Sequence, residues 1–184
     1  MKFILFLIFS AGYYAHAKCN GNEFWFKRIK FDSYKEMKAT HTAEWLKENK
    51  IKLTSKKQLL ENFLWENAKG SGPKLPSKAY SYKFSMDQNC DIQVSKLNFL
   101  EAEKLTPDDM NHVLLAEGEK TITAGIINLY YIGDEPHMSI TPGSTRFCPK
   151  FESLSHIKKR LLKHGWKGTQ IDLVNVPGAD CPKD

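Results

Sequence analysis

The sequence lacks the short motifs that usually identify a reaction. It has no HExxH zinc motif, no glycine-rich phosphate loop, no GxSxG nucleophile elbow and no CxxC pair. Each motif sets ligands or a nucleophile at a defined spacing, so the sequence offers no support for a zinc hydrolase, a P-loop enzyme, an α/β-hydrolase or a thioredoxin-like oxidoreductase. We therefore expect no cofactor and no metal. There is also no Asn-x-Ser/Thr site, which favours a bacterial periplasm or medium over a glycosylating pathway.

Long apolar runs are equally scarce, and the one candidate lies at the start of the chain. Lys2 precedes an apolar stretch from Phe3 to about Tyr14, which closes on Ala15-His16-Ala17. A basic start, a short apolar centre and small residues before the cut are typical of a cleavable secretory signal. The stretch is shorter than the ~20 residues that span a bilayer. We therefore predict a signal peptide over 1–17 and a single mature domain over 18–184, secreted or periplasmic, without a transmembrane segment.

The net charge is modest and does not select a partner. The chain has 27 basic and 21 acidic residues, a formal net charge of +6, of which the predicted signal carries one lysine. The densest basic cluster is Lys158-Lys159-Arg160, and elsewhere bases and acids are interspersed. Such a surface permits a weakly bound anionic ligand but does not require one. The expected partner is an unknown protein or envelope component.

Cysteine is rare, but its count is even. Four cysteines in an exported chain predict two disulfides, with three possible connectivities. We favour Cys148–Cys181, which would tie down the C-terminal segment, and Cys19–Cys90, which would tie down the mature N-terminus.

The apolar periodicity predicts an α+β fold. We expect an N-terminal helical pair, followed by a mixed, mainly antiparallel sheet with two further helices. The predicted elements, in order, are helices at 33–49 and 55–67, a Gly/Pro-rich linker at 70–76, a hairpin from 78 that turns at 87–89, a helix from 106 to Gly118, strands at 121–132 and 137–141, a helix at 155–164 and a last strand from 171.

Three local patterns make sharper predictions. The alternation Tyr80, Tyr82, Phe84, Met86 is typical of a half-buried strand. The strand at 121–132 is rich in β-branched and aromatic residues, which favours the centre of the sheet. Gly165 is expected to end the last helix in a left-handed conformation, with Trp166 packed on Leu161.

One possible calcium loop and four further histidines have simple structural interpretations. Asp87-x-Asn89-x-Asp91 begins like a calcium loop, but the glycine and the bidentate glutamate are missing from their places, so a hairpin turn is the better interpretation. His41 lies on an apolar helix face and is expected to be structural. His112 and His156 are expected at the surface, and His164 near a helix C-terminus, where a cation is favourable.

The strongest candidate site is His137-Met138-Ser139-Ile140-Thr141. On a strand, His137, Ser139 and Thr141 share one face. With Arg146 close behind, a histidine and hydroxyls could bind a phosphate and transfer a proton. The competing interpretation is an edge strand with an exposed polar face.

This string resembles one half of the histidine–hydroxyl signature of the 2H phosphoesterases. The resemblance implies that a second histidine strand is required, since one histidine protonates the leaving group and the other activates the nucleophile. The remote partner, His41-Thr42-Ala43, has a different third residue and lies in a helical pattern.

The sequence thus supports two functions. The first is an exported, non-enzymatic binding or interaction protein of the envelope or medium, with inhibitor and immunity-type factors as examples. The alternative is a small secreted hydrolase that acts on a phosphate ester or nucleic acid, with His137, Ser139 and Arg146 as catalytic residues.

Overall fold

The described part of the chain is built around one mixed sheet. The computed structural model describes residues 48–62, 80–98, 101, 111–117, 119–144 and 147–176. The elements in chain order are β1 (Lys50–Leu53), α1 (Lys56–Asn62), β2 (Ser81–Met86), β3 (Ile92–Asn98), α2 (Asn111–Leu115), β4 (Thr123–Ile132), β5 (Glu135–Thr141), α3 (Leu154–Lys163) and β6 (Ile171–Leu173), with 3₁₀ turns at Phe151–Ser153 and Gly168–Gln170.

The six strands have the order β1-β3-β2-β4-β5-β6. All neighbours are antiparallel except β5 and β6, which are parallel because α3 carries the chain back across the sheet between them. The α+β prediction is confirmed, and so is the interior position of β4. Of the predicted N-terminal helical pair, the structure describes Glu48 and Asn49, which are helical, and α1. The remainder of that pair and the 70–76 linker lie outside the described residues.

Tight turns join β2 to β3 and β4 to β5. Asp87 Oδ1 accepts the backbone N–H groups of Asn89 and Asp91 at 2.8 and 2.9 Å, which closes the β2–β3 turn. Gly133 begins the β4–β5 turn with φ +59°, a conformation that glycine adopts without strain. The Asp87 motif is therefore a hairpin turn, and no group of metal-ligating side chains is found among the described residues.

One face of the sheet, here called the apolar face, carries the main core. Phe84, Ile127, Leu129, Met138 and Ile140 project from it, all at most 2% exposed. They pack against the helices through Leu59, Leu154, Ile157 and Leu161. The helical spacing of the last three residues turns one stripe of α3 towards the sheet.

The end of α3 matches the sequence prediction. Gly165 has φ +96°, and its N–H donates to the Leu162 carbonyl at 3.1 Å. The Trp166 N–H donates to the Leu161 carbonyl at 3.2 Å, and both side chains are buried in the core. This is the Schellman arrangement, in which glycine avoids the Cβ clash of the left-handed conformation.

On the opposite face, here called the second face, the structure contradicts two predictions. The half-buried assignment of β2 is wrong, because all six of its residues are buried, Lys83 included at 2% exposure. The surface assignment of His112 is also wrong: it is 4% exposed, and Nε2 lies 2.9 Å from the Gly125 carbonyl oxygen. In both cases α2, which packs on β2 and β3, supplies a cover that local periodicity does not reveal.

The helices agree with the sequence predictions in part. Val113 and Leu114 of α2 are buried, and Glu117, with φ +54°, adopts the left-handed conformation after that helix. Gly118, the predicted end of the helix, is outside the described residues. His164 lies at the C-cap of α3, as predicted, but burial, and secondarily Arg160, lowers its pKa and so disfavours the cationic form. Among the described residues, no helix has the length and apolar character needed to cross a membrane.

Candidate functional site

His137 lies in the interior of the sheet. It sits on β5 opposite Tyr130 of β4, while Ser139, on the same face, lies opposite Asn128 and beside Asp172 of β6. His137 is only 7% exposed. The edge-strand interpretation with an exposed polar face is therefore wrong, because β6 pairs with the other side of β5 after the α3 crossover.

Three polar side chains on neighbouring strands form a hydrogen-bonded row on the second face. The Ser81 hydroxyl donates to Asn128 Oδ1 at 2.6 Å, and Asn128 Nδ2 donates to the Ser139 hydroxyl at 3.2 Å. Ser81 and Asn128 are buried at 5% and 7% exposure. An amide can donate and accept at once, so Asn128 links β2 to β5.

A second polar contact lies on the same face, two residues further along β4, where Tyr130 is paired with His137. The rings of Tyr130 and His137 stack with their centroids 5.7 Å apart. The Tyr130 hydroxyl donates to the Asp172 carboxylate, so this hydrogen bond reaches across β5. We call these six residues the cross-strand polar network: Ser81, Asn128, Tyr130, His137, Ser139 and Asp172.

The electrostatics of the network keep Tyr130 protonated. Burial raises the pKa of its phenol, and the hydrogen bond to Asp172 and the negative charge of that carboxylate raise it further, to well above the usual range. At neutral pH Tyr130 is therefore a hydrogen-bond donor and not a base or a nucleophile.

The His137 ring is less completely satisfied. Its Nδ1 is buried and has no hydrogen-bond partner. No side-chain hydrogen bond between this ring and a carboxylate or second histidine is found in the described ranges. The described residues thus contain a histidine and a serine on one face but not the acid–base pair that the alternative function needs.

Of the predicted catalytic trio, the structure brings two together. His137 and Ser139 share a face of β5, as predicted, with Met138 and Ile140 on the other. Arg146 and His41 lie outside the described residues. Sequence reasoning missed Asn128, Tyr130 and Asp172. The alternation of β4 places Asn128 and Tyr130 on one face, but only the strand register shows that this face meets His137.

Two of the four cysteines, Cys90 and Cys148, lie among the described residues. Cys90 and Cys148 are not free thiols. Cys19 and Cys181 lie outside the described residues, so the pairings Cys19–Cys90 and Cys148–Cys181 stay predictions.

Comparison with known proteins supplies no family. No protein-family model, no curated protein and no solved structure significantly matches this chain.

Proposed function

We propose that the chain is an exported, non-enzymatic binding or interaction protein of the cell envelope or extracellular medium. Inhibitors and immunity-type factors belong to this class. The observation that carries the proposal is the cross-strand polar network, in which Ser139 and Asp172 are hydrogen-bonded to side chains of neighbouring strands and not to His137.

Two groups of the network, Ser139 and Asp172, already have structural partners. The Ser139 hydroxyl accepts from the Asn128 amide, and the Asp172 carboxylate accepts from Tyr130. A hydrolase centred on His137 would need a carboxylate or a second histidine within hydrogen-bond reach of that ring, and Asp172 is bonded to Tyr130 instead. In the present geometry both groups hold neighbouring strands together, which is a structural role.

Export and two disulfides belong to the same proposal. The signal-like segment at 1–17 and the four cysteines support them. Mass spectrometry of the protein recovered from periplasm or medium should show a mature N-terminus at Lys18 and no alkylatable thiol before reduction. Recovery of chains that retain Met1 from that fraction would contradict export.

One observation favours the alternative, a hydrolase acting on a phosphate ester or nucleic acid. The unpartnered Nδ1 of His137 is a polar atom with unused bonding capacity in a buried position, and such atoms occur at catalytic sites. The neighbouring Ser139 hydroxyl could bind the phosphate group of such a substrate.

A ring-preserving substitution separates the two functions. His137→Phe retains an aromatic ring against Tyr130 and removes both nitrogens, whereas His137→Ala also removes the stack. A binding protein should show no turnover of bis(p-nitrophenyl) phosphate or single-stranded RNA above that of a mock preparation, in wild type or either variant. His137→Phe should retain its thermal midpoint better than His137→Ala.

A hydrolase would give a different pattern. Measurable wild-type turnover that falls about 10²–10⁴-fold in His137→Phe, with an unchanged unfolding midpoint, would overturn the binding proposal. Ser139→Ala should then lower the same activity.

A further inference from the structure

A pocket of about 170 Å³ opens on the second face, away from the cross-strand polar network. It lies where the end of β2 meets α2 and the start of β4. Among the described residues its polar lining includes Lys50, Ser85, Gln93, Glu117, Lys120 and Thr121. A single buried water needs only roughly 10–15 Å³, so this volume admits several waters or one small ring-shaped molecule.

Two hydroxyls in this lining lack partners. Ser85 and Thr121 are each only 1% exposed, and neither Ser85 Oγ nor Thr121 Oγ1 has a hydrogen-bond partner. Buried hydroxyls in folded proteins are nearly always paired, because an unpaired one forfeits its hydration without compensation. Two unpaired hydroxyls in one pocket therefore indicate that a polar group bonds to them there.

Three of the five charged side chains that line the pocket are already engaged, and a fourth, Glu119, is exposed. Lys50 Nζ forms an ion pair with Glu117 Oε1, and Asp87, which also lines the pocket, accepts the backbone N–H groups of its own turn. The buried groups left to recognise a ligand are the two hydroxyls, which can each donate and accept. Groups of this kind match an uncharged ligand rich in hydroxyls better than an anion or a cation.

We propose that this pocket binds a small, uncharged, polyhydroxylated ligand of about the size of one sugar unit. Ser85 and Thr121 bond to its hydroxyls, and the Lys50–Glu117 pair borders the opening. The inference goes beyond the proposed function: the pocket shares no residue with the cross-strand polar network, and it stands whether or not that network is catalytic.

The test uses the full-length exported protein and named probes. D-Glucose, D-galactose and N-acetyl-D-glucosamine are titrated while ¹H–¹³C spectra follow the Thr121 methyl group, with inorganic phosphate and glycine as charged comparators. We expect at least one sugar to shift the Thr121 methyl signal saturably, and the comparators to leave it unchanged.

Three variants assign the binding to the two hydroxyls. Thr121→Val and Ser85→Ala each remove one unpaired hydroxyl with little change of shape, and each should weaken sugar binding about tenfold, followed by calorimetry. Ser95→Ala is the matched control, because the Ser95 hydroxyl is buried on β3 but donates to the Leu97 carbonyl at 2.9 Å.

The stability of the pocket variants and the binding of the sugars together test the proposal. Unfolding midpoints close to wild type are expected for both pocket variants, because neither hydroxyl has a protein partner to lose. Failure of all three sugars to shift the Thr121 signal overturns the proposal. So does sugar binding that survives both pocket substitutions, or stronger binding of phosphate or glycine.

Discussion

The two faces of the sheet are held together by different kinds of contact. On β5, Ile140 projects into the apolar face and is fully buried, while its neighbour Ser139 points into the second face and accepts a hydrogen bond from Asn128. Burial against α3 is non-directional and scales with apolar area. The cross-strand polar network depends instead on particular donors and acceptors in register.

Both kinds of contact specify how β5 pairs with β4. Sliding β5 by one residue along β4 would exchange its two faces, and it would also separate Asn128 from Ser139. The apolar face penalises that slip by exposing Met138 and Ile140. The second face penalises it by leaving buried polar groups unpaired, which costs about 1–3 kcal/mol for each group. The two faces therefore select the same register independently.

The largest expected effect is on the apolar face. Ile140→Ala removes a fully buried side chain from the centre of the core and should lower the free energy of unfolding by about 2–5 kcal/mol. Urea unfolding followed by circular dichroism measures it. Val176→Ala is the control, since Val176 is 45% exposed and should change stability by less than about 0.5 kcal/mol. Equal effects of the two substitutions would show that the apolar face is not the main core.

A smaller effect is expected on the second face. Asn128→Ala leaves the Ser81 hydroxyl without its acceptor and the Ser139 hydroxyl without its donor, and should cost about 1–3 kcal/mol. In a double-mutant cycle with Ser139→Ala, the two changes should couple by at least about 0.5 kcal/mol because the side chains bond directly. Additive effects, within error, would mean that the network is a coincidence of geometry and does not contribute to pairing.

The local features of this fold could be predicted from the sequence because they depend on neighbouring residues. The turn at Asp87 needs only a carboxylate that accepts hydrogen bonds from the backbone N–H groups two and four residues later. The end of α3 needs only a glycine with an apolar residue after it. The alternation of β5 likewise places His137 and Ser139 on one face without any knowledge of the partners.

The features that sequence reasoning missed depend on long-range pairing. The inner position of β5 depends on β6, a three-residue strand that reaches β5 only after the α3 crossover. Asp172 meets Tyr130, 42 positions earlier, for the same reason. His112 is buried because α2 packs over β2 and β3. No periodicity within a single segment contains this information, so the candidate residues could be predicted but their environment could not.

The smallest expected effect concerns pH and lies at the rim of the apolar face, where α3 ends. Burial, with Arg160 as the next contribution, lowers the pKa of His164 below its ordinary value of 6.5. A backbone hydrogen bond with Thr54 and the charge of Asp91 raise this pKa, but they do not cancel the lowering. The unfolded chain therefore takes up a proton at a higher pH than the folded one. Stability should fall as the pH drops through about 6.5, and the loss should level off below the folded-state pKa.

His164→Gln isolates this contribution, because glutamine retains a polar side chain that does not titrate. The difference in unfolding free energy between wild type and variant is measured by urea unfolding at several values between about pH 8 and pH 5. Wild type should lose stability relative to the variant as the pH falls, and the difference should be constant above about pH 7.5. Burial and the charge of Lys159 also lower the pKa of His156, so His156→Gln should show a change of the same sign. A wild type that instead gains stability relative to His164→Gln on acidification would show that His164 acts as the helix-terminal cation after all.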